Sequence, residues 1–131
     1  MTLRPVAAGP RVAVLADDLI WATRLSEIVR RAGGEPVRLA SAALLRAALS
    51  TLDGCVVDLT ARSYDGVAAI AVAVTARVPT VAVGQHDDPA EWRAARDAGA
   101  ARVFSYRTLS EHGDRELGRW VAAVREGEGG R

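Results

Sequence analysis

Apolar residues along this chain follow two alternating rhythms. The segments RVAVLA (11–16), GCVVDL (54–59), TVAVG (80–84) and RVFSY (102–106) are short and nearly continuous apolar runs. So is the C-terminal part of PVRLA (36–40). Runs of this length predict strands buried on both faces. Between them the apolar positions spread out to a helical period. Residues 18–32 place Ile20, Trp21, Leu25, Ile28 and Val29 on one side, which predicts an amphipathic helix. Asp17 or Asp18 would cap it, and Gly33-Gly34 would stop it. SAALLRAALS (41–50) predicts a second helix with Ser41 as N-cap. GVAAIAVAVTA (66–76) is apolar nearly all round, as expected of a helix pressed against a sheet. DPAEWRAARDAGA (88–100) has Asp88 placed to cap, Pro89 at the first helical position and Gly99 as a stop. Residues 109–125 close the series with Leu109, Leu117, Trp120, Val121 and Val124.

Five strand–helix units in alternation predict an α/β domain with a parallel sheet covered by helices on both faces. Its crossovers should be right-handed. The domain is expected to span 11–125, between flexible tails at 1–10 and 126–131.

Composition narrows the function. A chain of 131 residues, half apolar and a quarter charged, has room for one core. Charges interrupt every apolar run before it reaches the roughly 18 residues of a spanning helix. The opening MTLRPVAAGP lacks the apolar stretch of a secretory signal. Cys55 is the single cysteine, which excludes an intramolecular disulfide framework and a multi-cysteine zinc site. These features fit a cytoplasmic protein with no membrane partner. A net charge of +1 carries no bulk electrostatic footprint for nucleic acid. All 17 basic residues are Arg, and about one residue in five is Ala, a bias expected of a GC-rich genome. The absence of Lys excludes Schiff-base and P-loop lysine chemistry.

Five segments in order resemble the response-regulator receiver domain of two-component signalling, over about residues 11–125. RVAVLADD is similar to the family's first strand with its terminal acids, at the right distance from Ala32-Gly33. DLTARSYDG (58–66) has the length and both ends of the segment from phosphoacceptor Asp to loop Asp-Gly. VPTVAVG resembles the fourth strand with its leading Pro, and ARDAGAARVFSY the Ala-Gly-Ala run before the fifth. The resemblance implies a flavodoxin-like three-layer α/β/α fold with strand order 2-1-3-4-5.

It also implies a chemistry. A family receiver accepts a phosphoryl group from a histidine kinase onto the aspartate of strand three. Two acids after strand one hold Mg²⁺. A Ser or Thr after strand four and a Lys after strand five bind the phosphoryl oxygens. Asp58 matches the phosphoacceptor. Asp17 matches the second of the acidic pair, Asp18 a variable third position, and the first acid falls on Ala16. A one-residue slip would make Asp17-Asp18 the pair but would break the fit to Ala32-Gly33. The Ser/Thr position is Gly84, the Lys position Tyr106 and the switch aromatic Val103. A one-residue shift in strand five would instead offer Arg107 as the cation and Phe104 as the aromatic.

Phosphoryl transfer needs a placed nucleophile and dense positive charge around the moving oxygens. Here the hydroxyl and the fixed cation are missing. Asp17 and Asp58 could still bind Mg²⁺ weakly, with Asp18 as a poorer third ligand, because Mg²⁺ keeps several waters. Arg62 or Arg107 could supply phosphate contacts, though a solvated arginine is the plainer role for each. Tyr106 could fill the vacated space and turn its hydroxyl to Asp58, or simply pack on the sheet edge. Asp17 and Asp18 could equally be helix caps. Trp21, Trp92 and Trp120 read as packing residues, His86 and His112 as isolated surface histidines, and Cys55 as buried and inert. Signatures for cobalamin, flavin phosphate, dinucleotide, P-loop and hydrolase chemistry are absent.

The expected protein is a stand-alone degenerate receiver, not an enzyme. It would bind signalling partners, a histidine kinase or a downstream target, with phosphorylation weakened or lost. A homodimer would use helix 4, strand 5 and helix 5, where Arg93, Arg96, Arg115 and Arg119 lie. A working phosphoacceptor at Asp58 with Mg²⁺ is the alternative. A small-ligand binder over Asp17, Asp58 and Tyr106 is a more distant one.

Overall fold

The structure is a computed structural model and describes residues 9–85 and 87–127. His86 and most of the two predicted tails lie outside the described residues. The strands are β1 (Arg11–Leu15), β2 (Glu35–Leu39), β3 (Gly54–Asp58), β4 (Thr80–Gly84) and β5 (Val103–Ser105). The helices are α1 (Leu19–Arg31), α2 (Ala42–Ala48), α3 (Gly66–Thr75), α4 (Pro89–Asp97) and α5 (Tyr106–Arg125). All pairings are parallel, in the expected order β2-β1-β3-β4-β5.

The two-residue period of the strands divides the core. Ala13, Leu15, Cys55, Val57, Ala82 and Val103 face α2, α3 and α4, where they meet Leu45, Ile70, Ala73 and Ala95. Val12, Val14, Val56, Val81, Val83 and Phe104 face α1 and α5, against Leu25, Val29, Leu117, Trp120 and Val121. Every residue of β3 and β4 is buried, so the central strands have no polar alternation to show.

Each helix begins at the carboxyl edge of the sheet, and each has a side-chain cap. Asp18, Ser41, Asp65, Asp88 and Ser105 accept from the amides of Trp21, Leu44, Ala68, Glu91 and Thr108. Such caps satisfy amides that a helix cannot pair internally. The choice left open between Asp17 and Asp18 falls to Asp18. At the far end of α4, Gly99 has φ +113, and a Cβ there would lie 2.8 Å from Val74 Cγ1. Only glycine meets both demands.

Several boundaries differ from the reading of the sequence. Helix 41–50 ends at Ala48 and tightens into a 3-10 turn, Leu49–Thr51. The strand expected at 102–106 is only Val103–Ser105, and the helix expected from 109 begins at Tyr106. The last two share a cause. The Ser105 hydroxyl caps the Thr108 amide at 3.0 Å, which ends the strand and turns the chain into the helix one residue before Tyr106. The aromatic residue had looked like a strand residue because β propensity favours it.

Candidate functional site

Asp58 is the last residue of β3 and is 1% exposed. Its Oδ1 accepts the Thr60 amide at 3.0 Å and the Thr60 hydroxyl at 2.9 Å. The first bond is the local turn that Asp makes with the backbone two residues on. Tyr106 donates its hydroxyl to the same oxygen. The Thr60 and Tyr106 hydroxyls also meet at 2.5 Å. Two hydroxyl protons and one amide therefore converge on one carboxylate oxygen. Oδ2 is buried and has no hydrogen-bond partner among the described residues.

Tyr106 is fixed from behind. Its ring centroid lies 4.5 Å from that of Trp21, tilted by 48°. The Arg24 guanidinium lies 5.4 Å from the Trp21 ring centroid, a cation–π contact. Burial, then the hydrogen bond to Asp58, holds the Tyr106 hydroxyl well above the ordinary tyrosine range. The proton stays on Tyr106, so this side chain donates one hydrogen bond to Asp58 and brings no charge.

Tyr64 closes the floor. Its buried hydroxyl lies 2.7 Å from the main-chain carbonyls of both Leu15 and Asp58, joining the ends of β1 and β3. Burial, reinforced by the Asp58 charge, pushes this hydroxyl up as well.

The acids after β1 have structural work. Asp18 caps α1 through the Trp21 amide at 2.9 Å. Asp17 is exposed, and its Oδ2 accepts the amides of Arg62 and Ser63 at 2.9 and 3.0 Å. These bonds, the Ser63 amide foremost, hold the Asp17 carboxyl below the usual carboxylate range. Asp17 thus staples the loop after β3 to the end of β1. Ala16 is buried, and its amide donates to Leu39 O, so the first acid position is plain sheet edge.

Across the crevice, Gly84 ends β4. A Cβ there would meet Leu59 Cδ1 at 3.2 Å, Trp92 Nε1 at 3.5 Å and Glu91 Oε1 at 3.6 Å. Trp92 is held by donating its indole N–H to Gln85 O at 2.6 Å. Burial first, then the charges of Asp88 and Asp58, raise the Glu91 carboxyl. Another acid therefore stands where the sequence had only a missing hydroxyl. Val103 is buried beside Ala82, and Phe104 faces the α1–α5 side.

The arginines do not converge on Asp58. Arg62 meets Asp17 through its main-chain amide, and its side chain is exposed. Arg107 is 77% exposed and pairs with Glu111 at 3.3 Å. Gly84 pairs with Ser105 and Tyr106 follows, so it is Tyr106 that reaches Asp58. His112 lies on α5, half-exposed, where the helix dihedrals break. Cys55 is fully buried, and burial pushes its thiol up to about 12, so it is inert.

Three residues of the site were missed from the sequence. Thr60 had a signal, as the residue two after a strand-ending Asp. Tyr64 had one too, because a buried tyrosine needs a partner for its hydroxyl. Glu91 carried a misleading signal. Asp88-Pro-Ala-Glu91 has the spacing of a capping box, which would send Glu91 back to its own cap.

The resemblance to receiver domains implies a divalent cation. Asp58 Oδ2 is a buried carboxylate oxygen without a donor among the described residues, and Asp17 follows the end of the neighbouring strand by two residues. Two carboxylates suit a hard cation that retains waters. No cluster of three or more His, Cys, Asp or Glu is found among the described residues, so waters and main-chain carbonyls would complete the shell. The donor set fits, in a minimal form.

No family model and no curated protein matches this chain. Solved structures do. A CheY-like response-regulator receiver domain protein from Methanospirillum hungatei superposes with TM-score 0.72 at 16% identity, covering 92% of this chain and 99% of its own. A response-regulator receiver domain from Rhodospirillum rubrum gives TM-score 0.68 at 22% identity, covering 82% and 90%. The receiver domain of a sensor histidine kinase from Pseudomonas aeruginosa, solved with a magnesium ion in its active-site cleft, gives 0.72 at 18%, covering 87% and 98%. The fold is that of a receiver domain. The receiver fold puts the crevice at the carboxyl ends of β1, β3 and β4, where strand order reverses. Asp17, Asp58 and Gly84 are the residues this chain places there.

Proposed function

We propose that this chain is a receiver-fold signalling module that binds protein partners, with phosphorylation weakened or lost. The observation that carries the proposal is the occupation of Asp58 Oδ1 by Tyr106, at the position where a receiver keeps a lysine. A lysine offers three donors and a full charge, whereas a tyrosine hydroxyl offers one donor and none. Gly84 withholds the second phosphoryl ligand, and Glu91 adds a like charge beside it. Each change disfavours an incoming phosphoryl dianion.

The chain would work in the cytoplasm, as a non-enzyme. No helix among the described residues is long and apolar enough to cross a membrane. Partners would be a histidine kinase or a downstream target, or a second copy through α4, β5 and α5. On that face Arg93 and Arg96 are exposed, and Glu116 already pairs with Arg102 at 3.4 Å.

One observation favours a second reading. The unpartnered Asp58 Oδ2 suits a cation, and with Mg²⁺ on Asp17 and Asp58 the aspartate could still accept a phosphoryl group. Incubation with acetyl phosphate and Mg²⁺, followed by intact-mass analysis, separates the two. The proposed function predicts at most a trace of phosphoryl adduct on the wild-type chain. A major adduct, absent from Asp58→Asn, would establish the second reading.

A further inference from the structure

Tyr106 reaches Asp58 from a helical turn set apart from the rest of α5. The turn caps itself: Ser105 Oγ accepts the Thr108 amide at 3.0 Å and meets the Thr108 hydroxyl at 2.9 Å. At His112 the backbone leaves helical geometry, with φ −140 and ψ 30. The next residue, Gly113, is packed so closely on α1 that a Cβ would lie 2.6 Å from Ile28 Cδ1. The later part of α5 is thus fixed to α1, and residues 106–111 form a unit beyond a break. Within that unit Leu109 is the buried apolar anchor. The remaining ties to α1 are side-chain contacts: Tyr106 on Trp21, and Arg24 Nη1 3.5 Å from Ser110 Oγ.

We propose that Tyr106 is a plug for the acidic pocket, carried on a turn that pivots at His112 and clamped shut by Trp21 and Arg24. Closed, the plug spends the acceptor capacity of Asp58 Oδ1 on hydroxyls and fills the space beside it. Open, it releases its bond to Oδ1 and clears the space beside the already unpartnered Oδ2 for a divalent cation and for an anion that the cation brings. The inference deepens the reading above, since it treats the pocket as a receiver pocket with its phosphoryl half replaced. A site available only in a minor open state binds with its affinity reduced by the open fraction. The clamp therefore sets how much cation the pocket takes.

The test uses Mn²⁺ as the probe. Paramagnetic broadening of amide NMR signals around Asp17 and Asp58 reads its affinity for the wild-type chain and three variants. Tyr106→Ala removes the plug and should tighten Mn²⁺ binding about tenfold, as expected when the open fraction rises from about one in ten. Trp21→Ala leaves Tyr106 in place but unclamped, and should tighten binding by about threefold on the same ground. Tyr106→Phe keeps the ring contact, loses the hydroxyl, and should fall between wild type and Tyr106→Ala. Dispersed amide spectra confirm that each variant folds, and Trp21→Ala tests the clamp without touching the pocket. Equal Mn²⁺ affinity in wild type, Tyr106→Ala and Trp21→Ala would overturn the plug. So would broadening in Tyr106→Ala centred away from Asp17 and Asp58. Failure of the underlying reading shows separately, as a major phosphoryl adduct on the wild-type chain.

Discussion

The two walls of the crevice differ. The wall made by β1 and β3 carries acids, Asp58 at the floor with Asp17 and Asp18 after β1, although Ala16 takes the first acid position. The wall made by β4 and β5 has Gly84 and Tyr106 where a receiver carries a hydroxyl and an ammonium. The acids of the first wall each hold structure in place. Asp58 gathers the Thr60 amide and two hydroxyls, Asp17 staples the loop at Arg62 and Ser63, and Asp18 caps α1. On the second wall Gly84 brings no side chain, and Tyr106 donates one hydroxyl to Asp58. The acids of the first wall are thus tied into the fold through main-chain amides, whereas the second wall meets them through one tyrosine hydroxyl.

This contrast can be broken by substitution. Asp58→Ala removes the acceptor that Thr60 and Tyr106 share in a part-buried network, and should cost about 2 kcal/mol in urea unfolding. Gly84→Ser, on the other wall, meets the mobile end of Leu59 and should cost about 1 kcal/mol or less. Equal costs would remove the asymmetry.

The tyrosines sharpen it. The chain has two, Tyr64 and Tyr106, and both contact Asp58. Both are raised by burial, so folded protein should show little tyrosinate absorbance at pH 10, where a free phenol is half ionised. A group raised on folding stabilises the fold below its unfolded pKa, and that contribution is lost as pH climbs. Tyr64, held on the Leu15 and Asp58 carbonyls, should ionise only with unfolding, whereas Tyr106 should ionise first, through its open state. A single step for both tyrosines would mean that Tyr106 does not open.

The smallest effect belongs to Asp17. Its carboxyl is lowered on folding, so the loop contact is present above the ordinary carboxylate pKa near 4 and fades as pH falls through the lower folded value. Hydrogen exchange at Arg62 and Ser63 should quicken in that window, and Asp17→Asn should quicken it at neutral pH. Unchanged exchange in the variant would leave the staple without support.

The alternation of strands and helices was legible because buried parallel strands and capped helices write plain patterns. The caps Ser41 and Asp88 and the stop at Gly99 could be read directly, as could the position of Asp58 at a strand end. Tyr106 shows where local reading stops. Its place in β5 or α5 turned on a single serine hydroxyl, and its contact with Asp58 spans 48 residues of chain. Glu91 was hidden by a local pattern that pointed elsewhere. Side chains that meet across a sheet edge leave no periodic trace, whereas those that cap their own helices do.

In the proposed function, Tyr106 and Gly84 take the place of the phosphoryl-binding half of the pocket. Amide NMR of the wild-type chain in Mg²⁺, before and after addition of beryllofluoride as a mimic of aspartyl phosphate, tests it most directly. The account predicts that beryllofluoride leaves the signals of Asp58, Thr60, Gly84 and Tyr106 where Mg²⁺ alone put them. Saturable shifts at those residues, lost in Asp58→Asn, would contradict it.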